Sequence, residues 1–294
     1  MPELPEVETT KTSLNPLIGQ TVTKVYTSGK RLRECLPNDL SSLIGYQFTK
    51  AVRRAKYLLL YFTHQTDHTK KTLLVHLGMS GSLQQRRVDA DKTLDKHDHM
   101  VMTFIGEDGL LTNLYYHDPR RFGIITWADN DDYIDGRNLA DKYLAHLGVE
   151  PLENDFNGCY LYHKIWQSKN PIKKPIKTVI MDQTIVVGVG NIYAAESLFL
   201  SHIHPATPAH LLTKEQLKIL ANNIKIILDK SIKKGGSSLK DFMVGDGKAG
   251  YFQQTLLVYG REGRPCLDCG TLLENIKING RASVYCPHCQ SFTG

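Results

Sequence analysis

The chain has 294 residues, of which 41% are hydrophobic and 22% charged, with a net charge of +6 at neutral pH. That length suits two domains with their own cores, and the composition is that of a soluble globular protein. No stretch approaches the ~20 apolar residues of a membrane span, and the start lacks a signal peptide's basic and apolar regions, so a cytoplasmic or nucleoid protein is expected.

The first residues, Met1-Pro2-Glu3-Leu4-Pro5-Glu6-Val7-Glu8, allow two readings. One is a helix start, with Pro5 near the first helical position and acids in the first turn. The other is chemical. Removal of Met1 before a small residue leaves the secondary amine of Pro2. An α-amino group titrates at ~7.7–8.0, against ~10.4 for lysine, so much of it is neutral and nucleophilic near pH 7. Such an amine attacks carbonyl carbon to give a Schiff base, and Glu3 and Glu6 stand next to it as proton carriers.

Residues 21–127 then read as strands: Thr21–Ser28, Tyr57–Thr63, Leu73–Leu77, Met100–Ile105, Leu110–His117 and Gly123–Trp127, punctuated by Gly, Asp and Asn. Short strands at this density predict a sandwich or barrel. Asp129-Asn130-Asp131-Asp132 is a polar break, and a domain boundary is expected between 128 and 152. The period then changes to that of helices over Leu139–Leu147, Leu161–Trp166, Ile192–His202 and Glu215–Ile232. The last carries a capping box, Thr213 with Gln216, and a stop at Gly235-Gly236. A glycine-rich loop over 235–250 leads into a cysteine-bearing module, and no internal repeat is present.

Charge is uneven. Residues 1–154 hold 19 Lys+Arg and 20 Asp+Glu, whereas residues 155–294 hold the remaining 17 and 10, a net of +7. A basic second half suggests a polyanionic partner. Of six cysteines, Cys35 and Cys159 stand alone and read as ordinary buried thiols. Cys266, Cys269, Cys286 and Cys289 form C-x2-C-x16-C-x2-C, the spacing of a zinc ribbon. Four thiolates close a tetrahedron and leave no open position, so one structural zinc is expected.

Several motifs bear on chemistry. Gly188-Val189-Gly190-Asn191 precedes a helix and lacks the third glycine of a dinucleotide fingerprint; it reads as a turn that offers amides to a phosphate, with Asn191 as cap. Gly245–Gly250 lacks the Lys-Ser/Thr of a phosphate loop and reads as a lid or a long connection. Asp118-Pro119-Arg120-Arg121-Phe122-Gly123 puts two arginines and an aromatic at a loop tip, a combination suited to DNA bases and phosphates. Met79, in His76–Gly81, is a second apolar wedge or a core residue. Lys56 starts a strand within a basic run, and Lys173, Lys174 and Lys177 form another cluster.

Taken in order, the Pro2–Glu8 start, the Lys56 run, His76–Gly81, Asp118–Gly123, Gly188–Tyr193, Gly250–Gln254 and the cysteine module resemble the formamidopyrimidine-DNA glycosylase family over nearly the whole chain. The resemblance implies an α+β fold: an N-terminal β-sandwich with an N-terminal helix (1–135), a helical helix–two-turn–helix domain (150–235), a lid and connection (236–257), and a four-cysteine zinc finger built on a β-hairpin (258–294). It implies a monomer that removes oxidised purines from damaged double-stranded DNA and cuts the abasic strand by β,δ-elimination. The catalytic set is Pro2, Glu3 and Lys56, with Lys56 and Asn191 on phosphates flanking the lesion. Met79, Arg120 and Phe122 fill the gap left by the flipped nucleotide, and Arg120 faces the orphaned cytosine. His99, Arg121, Lys177, Tyr259 and Arg281 complete the DNA-binding set, and Glu6, Ser237 and Tyr251 belong to the base pocket and lid.

Ala249 stands where many relatives carry proline, which bears on base preference. Two other readings remain: a sister enzyme of the endonuclease VIII type acting on oxidised pyrimidines, and a non-enzymatic zinc-finger DNA-binding protein. Leu4 and the long Gly-rich segment favour the purine branch, and the intact Pro2-Glu3 start favours an enzyme.

Overall fold

In the computed structural model, residues 2–88, 94–128, 139–167, 169–235 and 256–292 are described. They divide into a first unit that runs to Ala145 and a second formed by His146–Lys234 and residues 256–292. The lid candidates Ser237 and Tyr251, and the Asp129–Asp132 break, lie outside the described residues. No helix among the described residues is long and apolar enough to cross a membrane.

The first unit opens with helix α1 (Leu4–Ser13). Eight strands follow: β1 (Thr21–Thr27), β2 (Tyr46–Arg54), β3 (Tyr57–His64), β4 (Lys70–His76), β5 (Ser82–Arg87), β6 (Asp98–Ile105), β7 (Leu111–His117) and β8 (Ile124–Trp127). Their antiparallel order is β5-β7-β6-β1-β2-β3-β4-β8. β1 pairs with β6 from Thr21 to Thr27 but meets β2 at one register pair, Thr21↔Gln47. That narrow corner divides the sheet into two four-stranded halves. Met102, Phe104 and Tyr116 from one half join Leu58, Phe62 and Val75 from the other in a single buried cluster. The expected sandwich is thus present, with period-2 burial along β3 sending Leu58, Leu60 and Phe62 inward.

Two strands escaped the sequence reading. β2 carries Gln47, Lys50, Arg53 and Arg54, and β5 is an edge strand that ends in Arg86-Arg87. Their polar residues mask the alternation, although β2 pairs along its length with β3 and β5 along its length with β7. A short helix, α2 (Leu139–Leu144), closes the unit.

The second unit holds α3 (Gly158–Ile165), α4 (Ile176–Ile180), α5 (Asn191–Leu200) and α6 (Lys214–Lys233), then β9 (Glu274–Ile278) and β10 (Arg281–Tyr285). The α6 capping box forms as expected: Thr213 Oγ1 accepts the Gln216 amide at 3.2 Å, and Gln216 Oε1 accepts the Thr213 amide at 2.9 Å. α3 crosses α6 so closely that a Cβ on Gly158 would lie 2.4 Å from Lys218 Cα. Tyr193 of α5 and Ser231 of α6 share a buried hydrogen bond of 2.6 Å.

Cys35 and Cys159 are exposed, contrary to expectation. α3 turns Gly158, Leu161 and Ile165 inward, and the step of about 100° per residue carries Cys159 to the solvent side. Cys35 lies in the irregular segment after β1.

Neighbouring strands β6 and β7 bring Asp98 opposite His117, whose Nδ1 lies 2.8 Å from Asp98 Oδ1. The Asp98 hydrogen bond raises the His117 pKa above its ordinary 6.5, against the opposing effect of burial. A group with a raised folded pKa contributes stability below its unfolded value and loses it as pH rises through the folded value. We therefore expect the stability deficit of His117→Gln to be larger at pH 6 than at pH 8.5. Denaturant unfolding followed by Trp127 in a Trp166→Phe background checks this, and an equal deficit at both pH values contradicts it.

Candidate functional site

The opening residues form a capped helix start, with Pro5 in the first turn. Pro2 is buried, and Glu3 is the N-cap, extended at φ −100° and ψ −169°. Glu3 and Glu6 form a reciprocal capping box in which the Glu6 carboxylate accepts the Glu3 amide at 2.8 Å. Glu3 is only 2% exposed, so the helix end holds its carboxylate in one place beside Pro2.

Lys56 does not start a strand; it lies with Ala55 in the two-residue turn between β2 and β3, where Ala55 has φ +54°. Arg53 links this turn to α1. Its Nε donates to Glu8 at 2.7 Å and its Nη1 donates to the Ala55 carbonyl at 3.1 Å. Burial raises the Glu8 pKa, but hydrogen bonds from Lys11 and Arg53 outweigh it and hold the carboxyl below its usual value. A further residue near the turn, to which sequence reasoning gave no role, is His76 at the end of β4. Its ring lies 4.7 Å from that of Tyr57, and its Nδ1 accepts the Gly78 amide at 3.0 Å. Burial, with the charges of Lys56 and Arg33, pushes its pKa down to about 4. His76 is therefore neutral at pH 7, with its proton on Nε2. Its sequence signal was a histidine ending an apolar strand just before the Leu77–Gly81 loop.

Two loops of the same unit present large apolar side chains. Met79 is 41% exposed and Phe122 is 45% exposed. The Arg120 guanidinium lies 5.1 Å from the Phe122 ring centroid, and Arg121 is exposed at φ +56°. His99 has no exposed surface. It is buried, with Nδ1 3.0 Å from Ser28 Oγ and Nε2 3.0 Å from the Asp118 carbonyl. Burial pushes its pKa below the usual histidine value, so it braces the Pro119–Phe122 turn from beneath as a neutral ring.

In the second unit Gly188 adopts φ +80°, and its amide donates to Gln183 Oε1 at 2.9 Å. Gly190, not Asn191, is the N-cap of α5; Asn191 is its first helical residue. Gly190 at the cap is extended, at φ −123° and ψ −156°. Farther along this nearly apolar helix, the Glu196 carboxylate accepts the amides of Leu257, Val258 and Tyr259 at 2.8–2.9 Å. Burial raises its pKa against the pull of those bonds. In sequence the signal of this role is a lone acid within a helix of otherwise uncharged residues.

Lys177 separates from the exposed Lys173 and Lys174. It is 1% exposed, and its Nζ donates to the Ala282 carbonyl at 3.1 Å and Ser283 Oγ at 2.7 Å, joining α4 to β10. Asn279-Gly280, at φ +49° and +74°, makes the two-residue hairpin turn and leaves Arg281 exposed at its end. Arg281, Asn279, Lys177 and Asp182 are among the residues lining a cleft of about 260 Å³.

The sulfurs of Cys266, Cys269, Cys286 and Cys289 all lie within 4.8 Å of one another. Separations of 3.5 Å (Cys269–Cys286) and 4.0 Å (Cys266–Cys289) bracket the roughly 3.8 Å that zinc–sulfur bonds of ~2.3 Å impose in a tetrahedron. The four thiolates fit one structural zinc. The finger packs on α5 through Ala195, Phe199, Val258, Leu273 and Val284. Gln290 adds a second tie, accepting the Cys286 amide and donating to the Ile203 carbonyl at 2.8 Å. Since zinc supplies on the order of 10–16 kcal/mol to a small finger, stripping it with a strong chelator is expected to expose residues 258–292 to protease and leave the first unit resistant. Equal protection with and without metal contradicts this.

Three family models match the chain. The formamidopyrimidine-DNA glycosylase N-terminal domain covers residues 1–125, the helix–two-turn–helix domain of the same enzymes covers 147–243, and a zinc finger found in these proteins and in isoleucyl-tRNA synthetases covers 263–291. Formamidopyrimidine-DNA glycosylases of Psychrobacter arcticus and Acinetobacter baylyi are 53% and 51% identical, each over 99% of this chain and 98% of its relative. The Thermus thermophilus MutM (Fpg) crystal structure superposes at a TM-score of 0.80, with 33% identity and all of both chains covered. A Lactococcus lactis Fpg mutant in complex with Fapy-dG-containing DNA superposes at 0.82, with 32% identity over 99% of this chain and 100% of that one. By its domains and its full-length relatives, the chain belongs to the formamidopyrimidine-DNA glycosylase family.

Proposed function

We propose that the chain is a bifunctional DNA glycosylase that removes oxidised purines from duplex DNA and cuts the abasic strand. The observation that carries this reading is the start of α1, where Pro2 precedes a buried Glu3 fixed by its capping box with Glu6. Support comes from Lactococcus lactis relatives solved with Fapy-dG-containing and abasic DNA.

With Met1 removed, the Pro2 nitrogen attacks C1′ of the damaged nucleotide. The bond to the base breaks, and the base leaves with the bonding pair and takes up the proton that the Pro2 nitrogen loses. Glu3 delivers a proton to the ring oxygen as the sugar opens, which leaves an iminium on Pro2. Loss of the C2′ proton expels the 3′ phosphate, a second elimination expels the 5′ phosphate, and water frees Pro2. Lys56, neighbouring His76 and, from the second unit, Asn191 and Arg281 hold backbone phosphates. Extruding a base costs about a few kcal/mol. Met79 and Phe122 offset that cost by filling the vacated stack, and Arg120 pairs with the orphaned cytosine. The basic second half strengthens the hold on DNA through counterion release.

Glu3→Gln tests the acid role cleanly, because the amide oxygen can still accept the helix amide and keep the cap. The variant is expected to bind an 8-oxoguanine duplex within about threefold of the parent and to lose roughly 10²–10⁴-fold in single-turnover excision. Undiminished excision rejects the role. Faster parent excision of thymine glycol than of 8-oxoguanine rejects the purine preference.

A further inference from the structure

We propose that Asp118 and Ser80 are positioning residues that bind the two wedge loops into one element, so that Met79 enters the duplex in concert with Arg120 and Phe122. The inference rests on the reading that these three side chains enter DNA. It adds that they do so as a unit, and it names the residues responsible.

The Asp118 carboxylate is 0% exposed. A buried carboxylate is costly unless donors surround it. Here they come from both loops. Oδ1 accepts the Ser80 hydroxyl at 2.6 Å, from the loop that carries Met79. It also accepts the Arg120 amide at 3.3 Å, and Oδ2 accepts the Gly123 amide at 2.9 Å, both from the loop that carries Phe122. Ser80 Oγ itself accepts the Arg120 amide at 3.2 Å, so the serine bridges the two segments directly. The Tyr116 hydroxyl reaches Oδ2 from beneath at 3.4 Å.

Close backbone contact reinforces the coupling. A Cβ on Gly78, which has φ +64°, would lie 2.4 Å from the Phe122 carbonyl carbon; one on Gly123 would lie 1.6 Å from the Tyr116 hydroxyl. The residue before Met79 therefore abuts the backbone of Phe122. Moving one loop without the other would strip the Ser80 donor from a buried charge, whereas moving both together keeps the bonds among Asp118, Ser80, Arg120 and Gly123. Ser80 is half-buried and is the lighter of the two residues to change.

The test is a double-mutant cycle read in DNA binding. With Ser80 present, Met79→Ala and Arg120→Ala are expected to be non-additive by roughly fivefold or more in Kd for a duplex with an abasic-site analogue opposite cytosine. In a Ser80→Ala background the same two changes should become additive, and Ser80→Thr, which keeps the hydroxyl, should restore the coupling. Ser80→Ala should also reduce discrimination between cytosine and adenine opposite the lesion, and Ser80→Thr should retain it. Coupling that survives Ser80→Ala overturns the proposal and leaves the wedge reading intact. If Met79→Ala, Arg120→Ala and Phe122→Ala all leave binding unchanged, the wedge reading itself fails and the proposal with it.

Discussion

A carboxylate can be buried only where donors gather around it, and this constraint recurs at each place where the chain holds a functional segment. Glu3 and Glu6 share the amides at the start of α1. Asp118 collects amides and a hydroxyl between two loops. Glu196 collects three successive amides where the chain enters the zinc finger. In each case the acid orders backbone that has no ladder partner of its own, and the cost of exposing a buried charge resists any departure from that arrangement. Each of these segments is therefore fixed from inside the protein.

The same logic divides labour among the cations. Lys177 bonds to Ala282 and Ser283 of the finger and lines one cleft with the neighbouring Arg281. Arg53 joins Glu8 to the turn that carries Lys56. The zinc thiolates shape a hairpin too small for a core of its own, which then leans on α5. Arg281 thus depends on a bolt, a metal site and a helix, and on none of them for its charge.

Much of this was legible in the sequence because it is local. The C-x2-C pairs, the Thr213–Gln216 box and the alternation along β3 each lie within a few residues of one another, where spacing and geometry correspond directly. β2 and β5 were illegible because their exposed basic residues hide a strand whose evidence lies in its partners. Asn191 lost the cap to Gly190, since the choice depends on backbone angles that spacing does not encode. The roles of Asp118 and Glu196 were hidden because their donors lie up to 63 residues away, at separations no local pattern spans. Residue type alone does not place Cys159, whose exposure depends on which face of α3 turns inward.

The central claim is that the amine of Pro2, held at the capped end of α1, is the nucleophile. The most direct measurement is borohydride reduction of the protein with an 8-oxoguanine:cytosine duplex, after confirming that Met1 is absent, followed by mapping of the cross-linked peptide by mass spectrometry. An adduct on the nitrogen of Pro2 is the predicted result. An adduct on Lys56, the buried amine of the β2–β3 turn, or no adduct from a duplex that is bound and cut, would contradict it.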